Sequence, residues 1–164
     1  MLRIDDIPQQ VADDIHAFGV IGFGEREMIA EKSCGAIVFT KDGEGVKYII
    51  VESKNGFFGF PKGHVEKNET ELETARREVL EETGLQVEFL NNFQTEDSYL
   101  FQRNGETVIK HVVYFLAKFS NQISVAQETE LNSIRLMDYE NALSLLQFES
   151  SKRILTAAHM HVLS

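Results

Sequence analysis

The stretch that most constrains the fold is residues 63–85, GHVEKNETELETARREVLEETGL. It reads as a glycine-containing loop running into one well-bounded helix over 69–83. Asn68 is a good N-cap, Glu71 follows three positions later as in a capping box, and Gly84 is suited to a helix end in the left-handed conformation. Leu72, Ala75, Val79 and Leu80 form a narrow apolar stripe. Glu78, Glu81 and Glu82 share one face, because residues three and four apart on a helix are neighbours. Like charges so placed cost about 0.2–0.5 kcal/mol per pair on an exposed helix. A solvated acidic face is the plain explanation. Three features argue for a built site instead. The stripe is narrow, so part of the acidic face lies near sheet or loop. Arg77 can reach Glu81 one turn on and Glu69 at the helix start, fixing carboxylates in place. The FPKGHV loop offers main-chain carbonyls beside them.

Around this helix the pattern is that of strands. SCGAIVFT (33–40), the turn KDGEG (41–45) and VKYIIVES (46–53) predict a hairpin. Residues 54–68 hold three glycines (56, 59, 63) and Pro61 and have no period, so they read as a loop. VEFLNNF (87–93), the residues near Tyr99–Phe101, KHVVYFLAKF (110–119) and SIRLMD (133–138) read as further strands, and two helices close the chain at about 139–147 and 150–160. This mixture predicts an α/β protein with helices packed on a mixed sheet.

A chain of 164 residues, 43% of them apolar, fits one domain. Met28 directly precedes the first strand. Residues 1–30, with a short helix over Asp5 to Phe18 and a loose GVIGFGERE stretch, therefore read as an N-terminal extension to a domain over 31–164, unless translation starts at Met28. The single cysteine, Cys34, excludes an internal disulfide and suggests a reducing, cytoplasmic setting; its apolar surroundings predict a small buried residue. No secretory signal and no membrane-spanning apolar run is present in the sequence. A formal net charge of −10 argues against broad contact with nucleic-acid phosphates. It leaves room for a small phosphorylated ligand, provided that a cation stands between ligand and protein.

An oxygen-rich cluster suits a hard divalent cation. Mg2+, with Mn2+ as a substitute, takes carboxylates together with waters and substrate phosphate. Zinc does not suit it, because no Cys/His cluster is present.

Gly63, Glu69, Arg77, Glu78, Val79, Glu81, Glu82, Gly84 and Leu85 reproduce the Nudix box, G-x5-E-x7-R-E-U-x-E-E-x-G-U, without a departure. The chain thus resembles the Nudix hydrolases. The resemblance implies an α/β/α sandwich with a mixed central sheet. It also implies a Mg2+-dependent pyrophosphohydrolase in which Glu78, Glu81, Glu82 and the carbonyl of Gly63 hold metal. Arg77 and Glu69 would brace the helix, and Glu78 would double as a general base.

Over roughly residues 31–162 the segments SCGAIVF, VES, FPKGHVE, KHVVYFL and QFESSKRILTAAH are similar to diadenosine tetraphosphate hydrolases. That likeness implies that Lys62, His64 and Lys110 meet the polyphosphate, that Tyr114 stacks on adenine with Tyr99 as a second aromatic, and that Ser53 lies near the site. Glu130, with Glu128 as the alternative, would be a further metal ligand. Two positions depart from the pattern: Thr129-Glu130-Leu131 stands where His-Glu-His is common, and Phe58 where Trp is favoured.

The expected partner is a small nucleoside polyphosphate, bound by a monomer or homodimer. The first expected reaction is cleavage of diadenosine tetraphosphate to ATP and AMP by water attack on a phosphate. The alternatives are another substrate of the same chemistry (a nucleoside triphosphate, a nucleotide sugar, a diphosphoinositol phosphate or a capped RNA end) and a non-catalytic nucleotide sensor.

Overall fold

A computed structural model describes residues 29–124 and 131–164. Four strands precede the carboxylate helix: β1 (Ile29–Asp42), β2 (Gly45–Ser53), β3 (Phe58–Gly59) and β4 (Lys62–His64). The helix is α1 (Glu71–Thr83). After it come β5 (Glu88–Arg103), β6 (Glu106–Lys118), β7 (Leu131–Asp138), α2 (Tyr139–Leu145) and α3 (Glu149–Leu163). Ile29 and Ala30 belong to β1, so the first strand crosses the expected domain boundary at 30/31. The helix expected over Asp5 to Phe18 lies outside the described residues.

The strands form one sheet with the path β3-β2-β1-β6-β5, while β4 also pairs with β1 and β7 with β2. It is mixed, since β1 and β6 run parallel and the other pairs antiparallel. Strand alternation sorts its side chains into two layers. Ala36, Val38, Ile49 and Val51 pack with Val79 of α1 on one face, extended by Cys34, Val113 and Ala75. Ile37, Phe39, Tyr48, Ile50, Tyr114 and Leu116 pack with Leu146, Ile154, Leu155 and Ala158 of the C-terminal helices on the other. This is the expected α/β/α sandwich. Cys34 is buried as expected, and burial pushes its thiol up to about 11.

Three local expectations change. The segment 54–68 is not all loop, because β3 and β4 pair with β2 and β1 through runs too short to show a period. Thr70, not Asn68, caps α1: its hydroxyl accepts the Glu73 N–H at 3.1 Å and the Glu73 carboxylate accepts the Thr70 N–H at 3.1 Å. Asn68 instead sits in a left-handed turn (φ 69°). The stretches at 87–93 and 99–101 are one strand, β5, with an irregularity between Phe89 and Gln94 where Asn92 turns left-handed (φ 66°).

Candidate active site

The site is built where α1 meets β4. Arg77 is its hub. Nε and Nη2 form a fork on the Glu69 carboxylate at 2.7 and 2.9 Å, and Nη2 also donates to the His64 carbonyl at 2.9 Å. Nη1 donates to Glu78 Oε1 at 2.7 Å and Glu81 Oε2 at 3.1 Å. Glu69 further accepts from Thr74 Oγ1 and the Glu66 N–H. These hydrogen bonds, the Arg77 fork first, hold the Glu69 carboxyl down at about 2. Arg77 is raised in turn, chiefly by Glu69. Both contacts expected from the helical spacing, Arg77 to Glu81 and to Glu69, are present.

Gly63 explains why a glycine stands in this strand. A Cβ built there would lie 2.0 Å from the Glu78 side-chain carboxyl carbon, so the carboxylate occupies the space any larger residue needs. Glu78 and Glu82 are both buried. The Lys62 N–H donates to Glu82 Oε2 at 3.3 Å. Two carboxylates therefore rest against the main chain of β4, and Glu81 lies further out. Among the described residues no three His, Cys, Asp or Glu side chains are gathered closely enough to hold an ion as they stand. Arg77 is the cation that Glu78 and Glu81 hold. The donor set is all oxygen, and buried carboxylates at a glycine cradle favour a hard divalent cation as counter-charge. By donor chemistry the residues fit Mg2+ or Mn2+. Glu128 and Glu130 lie outside the described residues.

The opposite face of β4 has a different character. Gly63 pairs with Cys34, which packs on α1, so alternation turns Lys62 and His64 to the other side of the sheet. Lys62 Nζ donates to the Tyr99 hydroxyl at 3.0 Å and lies 5.1 Å from that ring's centroid. Burial lowers the Lys62 pKa, against the opposing pull of Asp97 and Glu82. Lys110 stands in register between Glu31 on β1 and Tyr99 on β5. The structure thus brings Lys62, Tyr99, Lys110 and His64 to one face.

Two expected substrate residues sit differently. Tyr114 is 5% exposed and packs edge-on against Phe60 with centroids 5.6 Å apart, so its ring belongs to the core instead of forming an open platform for adenine. The Ser53 hydroxyl accepts the Phe57 N–H at 3.2 Å and serves the turn after β2.

The face also holds residues the sequence did not single out. Asp97 accepts from its neighbour's N–H at 2.9 Å and from Ser150 Oγ on α3 at 3.1 Å, tying β5 to that helix. Glu31 and Arg103 pair across β6. Strand alternation around Tyr99 and Lys110 was the available signal, and it needed the strand order to be used.

Carboxylates on one side of a short strand and a half-buried lysine on the other suit the chemistry of phosphoanhydrides. The family profile described as the NUDIX domain matches residues 31–158, and the chain belongs to that family. It is a hydrolase acting on pyrophosphate bonds of small nucleotide substrates, in a family that generally uses divalent metal ions. It is 30% identical over 148 residues to the asymmetrical bis(5'-nucleosyl)-tetraphosphatases of Sus scrofa and Mus musculus, covering 83% of this chain and 98% of each relative. A binary complex of the Caenorhabditis elegans Ap4A hydrolase shares the fold, with a TM-score of 0.69 and 20% identity over 81% of this chain and 98% of that one. So does the NUDIX domain of Shewanella oneidensis NrtR complexed with ADP ribose, with a TM-score of 0.64 and 16% identity over 84% and 90%. Among the described residues no helix is long and apolar enough to cross a membrane.

Proposed function

We propose that the protein hydrolyses dinucleoside polyphosphates, diadenosine tetraphosphate first among them, to ATP and AMP with Mg2+ as the cation. One observation carries the reading: β4 turns Gly63 toward the carboxylates of α1 and Lys62 toward the opposite face, so cation-binding and phosphate-binding groups are one residue apart. Support comes from the asymmetrical tetraphosphatases, which this chain matches over nearly their whole length.

A divalent cation held by Glu78, Glu81, Glu82 and the Gly63 carbonyl would supply charge neutralisation of phosphate oxygens and a more acidic water. The chain's residues do the rest. Glu78 and Glu82 are held against β4, and either would serve as the base that takes the attacking water's proton. Arg77 and Glu69 keep the helix and the His64 carbonyl in register. Lys62 and Lys110 offset phosphate charge, and the Tyr99 hydroxyl aims the Lys62 ammonium. His64 adds a donor at the open end.

Hydrolysis in 18O-labelled water tests the reaction. ATP and AMP, one of them carrying the label on phosphate, support it; two molecules of ADP contradict it. The burial of Tyr114 favours a second reading, in which the same chemistry acts on another nucleoside diphosphate derivative, since the expected adenine platform is packed away. Comparison of kcat/KM across diadenosine tetraphosphate, a nucleoside triphosphate, a nucleotide sugar and a diphosphoinositol phosphate decides between the two. A non-catalytic sensor has little support, because every carboxylate of the box is retained.

A further inference from the structure

At the outer end of the Lys62 face lies a charged cluster whose members are far apart in sequence. Glu31, Lys110 and Tyr99 stand in one row across β1, β6 and β5. Arg103, four residues beyond Tyr99, shares its side of β5 by alternation. Its guanidinium lies 5.8 Å from the Phe101 centroid, and Phe101 lies 6.1 Å from Tyr99. The chain of contacts ends on Glu31, whose Oε1 accepts from Arg103 Nη2. The second oxygen, Oε2, is 3.9 Å from His64 Nε2. Arg103 first, then His64 and Lys110, hold the Glu31 carboxyl below the usual carboxylate range, so it is an anion at neutral pH.

One carboxylate therefore sits among three groups able to carry positive charge. The Glu31 side chain is 14% exposed, whereas Arg103 is 48% exposed and open to a ligand. Arg103 keeps an open side to solvent, so a phosphate, which carries more charge than a carboxylate, can compete with Glu31 for the guanidinium. A guanidinium fork meets carboxylate and phosphate oxygens with the same geometry. Like Lys62 and Tyr99, the cluster lies on the face assigned to phosphate.

We infer that Arg103, with Lys110 and His64, forms an outer anion subsite for the far phosphates of a polyphosphate chain, a place the Glu31 carboxylate takes until a phosphate displaces it. The inference rests on the polyphosphate reading above and makes chain length the selected property. A short chain held at α1 and Lys62 ends before Arg103. A longer one reaches it and releases Glu31.

The test is calorimetric titration of the full chain with Mg2+, using inorganic pyrophosphate and inorganic tripolyphosphate as probes. Arg103→Gln should weaken tripolyphosphate binding about two- to fivefold and leave pyrophosphate unchanged. Arg103→Lys should keep part of the lost affinity. Glu31→Gln should tighten tripolyphosphate by a similar factor, while Glu44→Gln, which removes a remote charge paired with Lys47, should not. Circular dichroism checks that each variant is folded. Equal shifts for both probes, or none for tripolyphosphate, overturn the subsite alone. A wild type that binds neither probe overturns it together with the polyphosphate reading.

Discussion

The two sides of β4 are organised differently. On the α1 side, Arg77, Glu78, Glu81 and Glu82 lie within six residues of one helix, and Glu69 lies two turns before Arg77, in the loop that leads into it. On the other side, Lys62, Tyr99 and Lys110 come from three strands and meet only because the sheet stacks β4, β1, β6 and β5 side by side. The first arrangement is rigid by local construction, with a cap at each end and one arginine spanning the cluster. The second depends on register. On the proposed reading, chemistry that needs fixed geometry is on a short-range scaffold, and recognition is spread over long-range contacts.

The largest expected effect is on the helix side. Glu82→Gln removes one buried carboxylate while keeping its shape, and kcat should fall about 10²–10⁴-fold with the circular dichroism spectrum unchanged. Retention of wild-type kcat would break the division at its stronger half. On the other side, Lys62→Met should raise KM about 10- to 100-fold, the value of a charge-assisted hydrogen bond to phosphate. Because burial disfavours the Lys62 ammonium, folding favours its neutral form. The penalty is present below the folded pKa and fades as pH rises through it. At neutral pH the Met variant should therefore melt no lower than wild type, and a clear drop in Tm would show that the lysine has a structural role instead.

Gly63→Ala addresses the strand between the sides. Its Cβ would collide with the Glu78 carboxylate, the far end of a flexible side chain that must swing away, so the placement of that carboxylate changes more than the stability. Gly59→Ala is the matched control, since a Cβ there meets nothing within 4 Å. Activity should separate the pair, being lost only in the first, while their thermal melts stay close.

The smallest effect concerns Glu69. Its carboxyl is held at about 2 against an unperturbed 4.5. A depressed carboxylate adds stability that is complete above the unfolded value and is lost as pH falls through the folded one. The Tm difference between wild type and Glu69→Gln should therefore be constant above about pH 4.5 and shrink toward pH 2. A difference that persists unchanged at pH 2 would mean that the Arg77 fork is not its source.

The helix side was legible because its contacts obey helical spacing: Arg77 to Glu81 is i,i+4, and Arg77 to Glu69 spans two turns back to the loop. The cap was misplaced by two residues because Asn68/Glu71 and Thr70/Glu73 both satisfy the capping pattern, and only the left-handed turn at Asn68 separates them. Tyr114 shows the limit on the other side. Val112, Tyr114 and Leu116 alternate toward one face, yet whether that face is core or cleft at a given depth depends on α3 and Phe60, which local pattern does not reveal. Glu31 and Arg103 are 72 positions apart, and no spacing rule joins them. The expectation for Glu130 lies outside the described residues.

The most direct test of the division across β4 is the pair of constants, kcat and KM, for diadenosine tetraphosphate with Mg2+ in wild type, Glu82→Gln, Lys62→Met and the double variant. The account predicts that Glu82→Gln lowers kcat with KM nearly kept, that Lys62→Met raises KM with kcat nearly kept, and that the double variant shows both losses together. A Lys62→Met variant that loses kcat as Glu82→Gln does, with KM unmoved, would contradict it.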